Sequence, residues 1–207
     1  MRRLTLLSIT LLAIGLGCTG VADGPATSGS NGHGTDAIQP LAKASKPVSK
    51  VPSGWSLYSN ADHGFEVAGP GQPMEQSLDN AAQKMTGRMF QFVFPNNGGH
   101  GQVLVMTYVG PEEYDLAKGL DGACNGAIQN IKGNMLKYES LEIDGRPGRE
   151  FVFEVTNQGH TFTGRGKAIG IAPKTIRVAM TFYPKPVTSS EALSDAFIDS
   201  FRITDAK

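Results

Sequence analysis

The chain holds two cysteines and four histidines, and their settings bound the chemistry it can do. Cys124 falls in a run of apolar residues at helical spacing (Leu116, Leu120, Cys124, Ala127, Ile128, Ile131, Met135), so it reads as a small buried hydrophobe rather than a nucleophile. His63, His100 and His160 each sit in a turn-like segment beside glycine, and Asp62 precedes the first. They would make a metal site only by converging in space, which nothing in their spacing requires; solvated loop histidines are the plainer reading. No GxSxG occurs, so a nucleophile elbow has no support. Gly164-Arg165-Gly166-Lys167 has part of a phosphate-loop pattern, but Thr161 replaces its first glycine and Ala168 its magnesium-binding hydroxyl. It reads as a glycine-bearing strand. Five cations (Arg165, Lys167, Lys174, Arg177, Lys185) and no acid lie between 155 and 190. On adjacent strands they would line a basic stripe for an anionic partner or polymer. The competing reading is a solvated sheet edge whose lysines discourage pairing with other strands.

The N-terminus carries the most specific signal. Met1-Arg2-Arg3 is a short cationic segment, followed by a predominantly apolar run of 13 residues over 4–16. That run is too short to span a bilayer, which takes about 20 residues, and suits the core of a signal peptide. It ends in Ile14-Gly15-Leu16-Gly17-Cys18. This resembles the lipobox of bacterial lipoproteins, where a cysteine thiol receives a diacylglyceryl group before the peptide is cut ahead of it. Gly17 fits the need for a small neighbour, whereas Gly15 stands where leucine is usual. Residues 1–17 are therefore expected to be a lipoprotein signal peptide, with Cys18 the lipidated, palmitate-bearing first residue of the mature chain. More than one acyl chain gives stable membrane attachment. The alternative is an ordinary signal peptide cut near Val21-Ala22.

Residues 18–52 are rich in Gly, Ser, Thr, Ala, Asn, Pro and Lys, and too poor in large apolar side chains to offset the entropy of ordering. As a flexible coil they would hold a folded domain about 30 Å from the membrane. His33 lies here between glycines and reads as solvated. Without Arg2 and Arg3 the chain has 17 basic and 19 acidic residues. That near balance argues against nucleic acid as a partner. The two cysteines show no tandem spacing, so neither a disulfide framework nor a cysteine zinc site is expected, and no cofactor is indicated.

A single domain over 53–207 must position any site, and about 155 residues suffice to bury a core without staples. Residues 141–155 organise it: Leu141 and Ile143 alternate with acids, a turn is expected at Gly145-Arg146-Pro147-Gly148, and Phe151, Phe153 and Val155 alternate after it. This hairpin is expected at the middle of a run of strands. Further strands are expected at 65–67, 85–94, 102–109, 161–170 and 175–182. Those at 85–94 and 102–109 are apolar on both faces, as in a sheet covered on two sides. Helices are expected over 111–137, opened by Pro111-Glu112-Glu113, and over 189–200, opened by Thr188-Ser189-Ser190-Glu191. A short strand is expected at 201–203. The class is α+β: a largely antiparallel sheet of five to seven strands flanked by two helices.

The order of Gly64-Phe65-Glu66-Val67-Ala68-Gly69-Pro70-Gly71-Gln72-Pro73, Ile143-Asp144-Gly145-Arg146-Pro147-Gly148-Arg149-Glu150 and Ala196-Phe197-Ile198-Asp199-Ser200-Phe201 resembles exported bacterial domains similar to the PsbP and Ran-binding Mog proteins. The resemblance covers most of 55–203 and implies an α/β/α sandwich; it implies a non-catalytic binding role only by analogy. With no nucleophile, base and orienting group assembled in sequence, the expectation is a membrane-tethered exported lipoprotein that is not an enzyme. It would act as a binding or accessory module in the cell envelope, its partner an envelope protein or anionic polymer. An envelope hydrolase built on the loop histidines, or a purely structural envelope component, remain the alternatives.

Overall fold

The structure, a computed structural model, describes residues 51–204 except 80, 82, 83, 111, 112, 158, 172, 186 and 187. The signal peptide, Cys18, nearly all of the linker and the Pro111-Glu112 helix opening lie outside the described residues.

Among the described residues ten strands and two α-helices follow in the order β1 (Ser56–Asn60), β2 (Phe65–Gly69), β3 (Met74–Ser77), β4 (Met85–Val93), β5 (His100–Tyr108), α1 (Leu116–Asn130), β6 (Asn134–Ile143), β7 (Arg146–Asn157), β8 (His160–Ile171), β9 (Thr175–Pro184), α2 (Thr188–Ser200) and β10 (Arg202–Ile203). Seven strands form one antiparallel sheet ordered β3-β4-β5-β9-β8-β7-β6, and β1-β2-β10 form a small second sheet. Both faces of the large sheet are covered, as the two-sided strands required. On one face α1 lays Leu120, Ala123, Cys124 and Ile128 over Met89, Leu104, Phe151, Phe153, Val178 and Met180. On the other, Phe197 and Ile198 of α2 join Phe65 and Val67 of the small sheet over Phe90, Phe92, Val103 and Ala179. The result is a three-layered α+β sandwich. Phe92 packs edge-on against Phe197 at 5.5 Å, and Gly101 makes room for that helix, since a Cβ there would come within 2.7 Å of the Phe197 ring.

Several expectations need correction. The 141–155 hairpin, β6–β7, does fall at the middle of the run of strands along the chain, but within the sheet β6 is the outermost strand. Its turn is Asp144-Gly145, both at positive φ, as a two-residue hairpin matching strand twist demands. Arg146, Pro147 and Gly148 belong to β7 instead. Pro147 is tolerated because β7 gains its second neighbour, β8, only from Gly148 onward.

The first helix does not run to 137. It starts after Asp115, whose carboxylate accepts from the Lys118 N–H at 3.1 Å. It stops at Asn130 in a Schellman motif, with Gly133 N–H donating to Ile128 O and Lys132 N–H to Gln129 O, both at 2.9 Å. Lys132, rather than glycine, takes the left-handed position at φ 54°. The residues from Asn134 on turn into β6, so Met135 continues the apolar spacing without continuing the helix. β3 is not signalled in the sequence: all four of its residues are exposed, so no alternation marks it.

Candidate functional site

The five cations do not form one exposed stripe. Register places Arg165, Lys167 and Arg177 on the face of the large sheet covered by α2 and the small sheet. Arg165 is ion-paired with Asp195 of α2. Lys167, 9% exposed, donates to Ile198 O at 3.3 Å and lies 3.9 Å from Glu150; burial pushes its pKa down. Arg177, 7% exposed, donates through Nε to His63 O. Lys174 donates to Gly110 O at 2.8 Å and sits over the Tyr108 ring, and Lys185 is ion-paired with Glu154. A strand apolar on both faces buries whatever lies between its apolar residues, and Ile176-Arg177-Val178 carries that signal.

The histidines are held apart. His63 belongs to the β1–β2 turn, its ring 5.4 Å from Phe90. His100 is in β5, not a loop; its ring stacks on Phe182 at 4.7 Å, and its Nε2 is enclosed with no partner. Burial lowers its pKa to about 4, so the ring is neutral at physiological pH. His160 opens β8 at the exposed tip of the β7–β8 hairpin. Among the described residues no three metal-ligating side chains gather. Cys124 is a free, buried thiol, pushed up to about 12 chiefly by burial. A thiol held protonated is not a nucleophile.

One polar cluster is not among the residues that the sequence singles out. Arg149 donates from Nε to Asp121 at 2.7 Å and to the Tyr138 hydroxyl at 3.0 Å, and Tyr138 donates to the same carboxylate. The guanidinium and hydroxyl hold the Asp121 carboxyl below its usual range. The cluster ties α1 to β6 and β7 beside Cys124. Its one signal is a charge on the inward register of β7, where residues 149, 151 and 153 share a face. Gln102, enclosed in β5 next to His100, leaves both amide atoms without partners. Arg177 Nη1 is in the same condition.

No protein-family model and no curated protein matches the sequence. Solved structures do match. The solution structure of cyanobacterial PsbP (CyanoP) from Synechocystis sp. PCC 6803 superposes with a TM-score of 0.51 at 12% identity, over 73% of this chain and 94% of that one. The domain has a PsbP-like fold. Weaker likenesses are to LpqN of Mycobacterium tuberculosis, involved in cell envelope biogenesis (TM-score 0.43, 14% identity, 75% of this chain and 81% of that one). Another is to the T6SS immunity protein TplEi of Pseudomonas aeruginosa (0.36, 15%, 63% and 48%). At these identities the likeness speaks to fold alone, and the expected α/β/α sandwich is the fold observed.

Proposed function

We propose that the protein is an exported lipoprotein whose PsbP-like domain is a non-catalytic binding or accessory module tethered to a membrane of the cell envelope. One observation carries the reading: Cys18 directly follows a predominantly apolar 13-residue run headed by Arg2-Arg3, with Gly17 before it. A thiol at that point serves diacylglyceryl attachment, and the 18–52 segment then gives the domain reach along the membrane surface. The state of the reactive groups supports binding over catalysis. The Cys124 thiol is kept protonated, and His100 is enclosed and neutral. Every cation of the candidate stripe has a partner within the fold. An anionic polymer therefore has no ready-made stripe to dock on, which favours an envelope protein as partner.

Wild-type protein expressed in cells is expected to incorporate labelled palmitate, and Cys18→Ser to remain unprocessed and unlabelled. Mass spectrometry finding a mature, unlipidated N-terminus beyond Ala22 would refute the anchor. Crosslinking in intact cells, with mass-spectrometric identification of captured chains, tests the binding role. Recovery of nothing beyond what a tethered unrelated domain recovers would count against it.

A further inference from the structure

We infer that Arg177 anchors a site for a small oxyanion, a carboxylate or phosphate group entering between the β1–β2 turn and the β6–β7 turn. Arg177 stands on the inner face of β9, flanked in register by Val105 of β5 and Ile169 of β8, both buried. Its described hydrogen bond is from Nε to the His63 carbonyl of the β1–β2 turn. Its Nη1 is enclosed and has no partner. A guanidinium cannot shed its charge as a buried lysine can, and buried charges in proteins are normally paired. Here the pairing is one carbonyl, and no described carboxylate bonds to it. An aliphatic side chain between Val105 and Ile169 would fill the same space without that desolvation.

A second cation points to the same ligand. Arg146 opens β7 just after the Asp144-Gly145 turn, on the same face as Gly148, which lies beside Ile169 in β8. Gly148 has no side chain of its own, and the Ile143 side chain lies over it. Arg146 is itself engaged, yet its charge reaches Arg177 and, after burial, is the second cause of the lowered Arg177 pKa. Two positive charges thus bear on one enclosed, unpartnered N–H. An oxyanion accepting from Nη1 would satisfy that donor in a charge-assisted bond and offset the repulsion. Asp62 and Asp144, in the two flanking turns, are exposed, and neither is among the groups bonded to Arg177. The group could come from a partner's acidic side chain or from a phosphorylated ligand; the shared chemistry is the oxyanion.

The inference deepens the binding reading above, on which its biological use rests, but the site is tested by small anions alone. Melting temperatures of the purified chain are measured in rising sodium acetate or sodium phosphate against sodium chloride of equal ionic strength. A saturable rise is expected for the wild type with at least one of the two. The anion that produces it identifies the source, acetate a carboxylate and phosphate a phosphoryl group. Arg177→Met is expected to fold with no loss of stability in chloride, since it removes an unpaired buried charge, and to lose the saturable rise. Arg146→Gln, nearer the surface, is expected to keep the rise but need roughly fivefold more anion. If the wild type responds to neither anion beyond Arg177→Met, or if Arg146→Gln saturates at the wild-type concentration, the site is overturned. Either result leaves lipidation at Cys18 and partner capture in cells to be judged on their own.

Discussion

Truncating Phe153 to alanine lowers the unfolding free energy by about 3–5 kcal/mol, read as a shift of the urea midpoint at unchanged slope. Phe153 is fully buried on the α1 side of the sheet. Its ring packs edge-on against Phe182 at 5.2 Å and lies 6.1 Å from Phe151. The rings of Phe151 and Phe153 extend over the neighbouring strand, where the register sets Gly166 opposite Phe151 and Gly164 opposite Phe153. A Cβ at Gly166 would lie 2.0 Å from the Phe151 ring, and one at Gly164 only 2.1 Å from the Phe153 ring and 2.3 Å from Thr181 O. These two glycines are therefore seats for the aromatic rings, not turn formers. Gly166→Ala is expected to cost about 1–3 kcal/mol through overpacking. In a Phe151→Leu background most of that cost should disappear, because the colliding atoms belong to the ring. A loss under about 1 kcal/mol for Phe153→Ala, or strict additivity of the Phe151 and Gly166 changes, would contradict this packing.

The second large effect is acid sensitivity centred on His100. Burial favours the neutral ring and brings its pKa from 6.5 down to about 4. Above pH 6.5 the ring is neutral in both states and stability is unaffected. Between pH 6.5 and 4 the unfolded chain takes up a proton that the fold refuses, so stability falls as pH falls; below pH 4 the loss is complete. The shift corresponds to about 3 kcal/mol. His100→Phe keeps the stack on Phe182 and removes both the unpartnered Nε2 and the titration. Its stability should decline by that much less than the wild type's between pH 7 and about 4. Parallel curves for the two proteins over that window would show that His100 does not set the acid response. Asp79, held near pKa 2 by hydrogen bonds from Ser77, Thr86 and Gly87, begins to lose its contribution only at the acid end of this window, and does so alike in both proteins, so it cancels in their difference.

Much of the fold is legible because its strands announce both period and depth. Phe90, Phe92 and Phe94 alternate with Met89 and Gln91, and the two sets do face two separate layers. What escapes are features decided by contacts distant in sequence. Lys132 can end α1 because the Schellman bonds and the start of β6 outweigh the cost of a left-handed lysine, and Ile131 with Met135 gives no hint of it. The turn lies earlier than expected because Pro147 and Gly148, usual turn residues, serve other ends here. Pro147 lies where β7 has a single neighbour, and Gly148 is there because the Ile143 side chain approaches it. For the site, counting charges finds the cations but not their direction. A run of five cations without an acid says nothing of acids supplied from elsewhere in the chain. Asp195, Glu154 and the carbonyls of His63 and Ile198 arrive from other parts of the fold.

The small sheet has a consequence for the order in which the chain becomes structured. β2 pairs with β1, its immediate predecessor, and with β10, near the far end of the chain. Ser200, just ahead of β10, accepts from Ala68 N–H at 2.9 Å across 132 residues, and Thr204 N–H donates to Gly64 O at 3.0 Å. On a ribosome, or threading through a membrane, the first strands of this domain emerge long before the strand that completes their sheet. Until that last strand arrives, Phe65 and Val67 lack Phe197 and Phe201 to cover them. The half-finished domain then shows an open strand edge and bare aromatic rings, the features that invite aggregation. Closing so long a loop is also intrinsically slow. Whatever holds the chain in solution during that interval must act on its N-terminal strands.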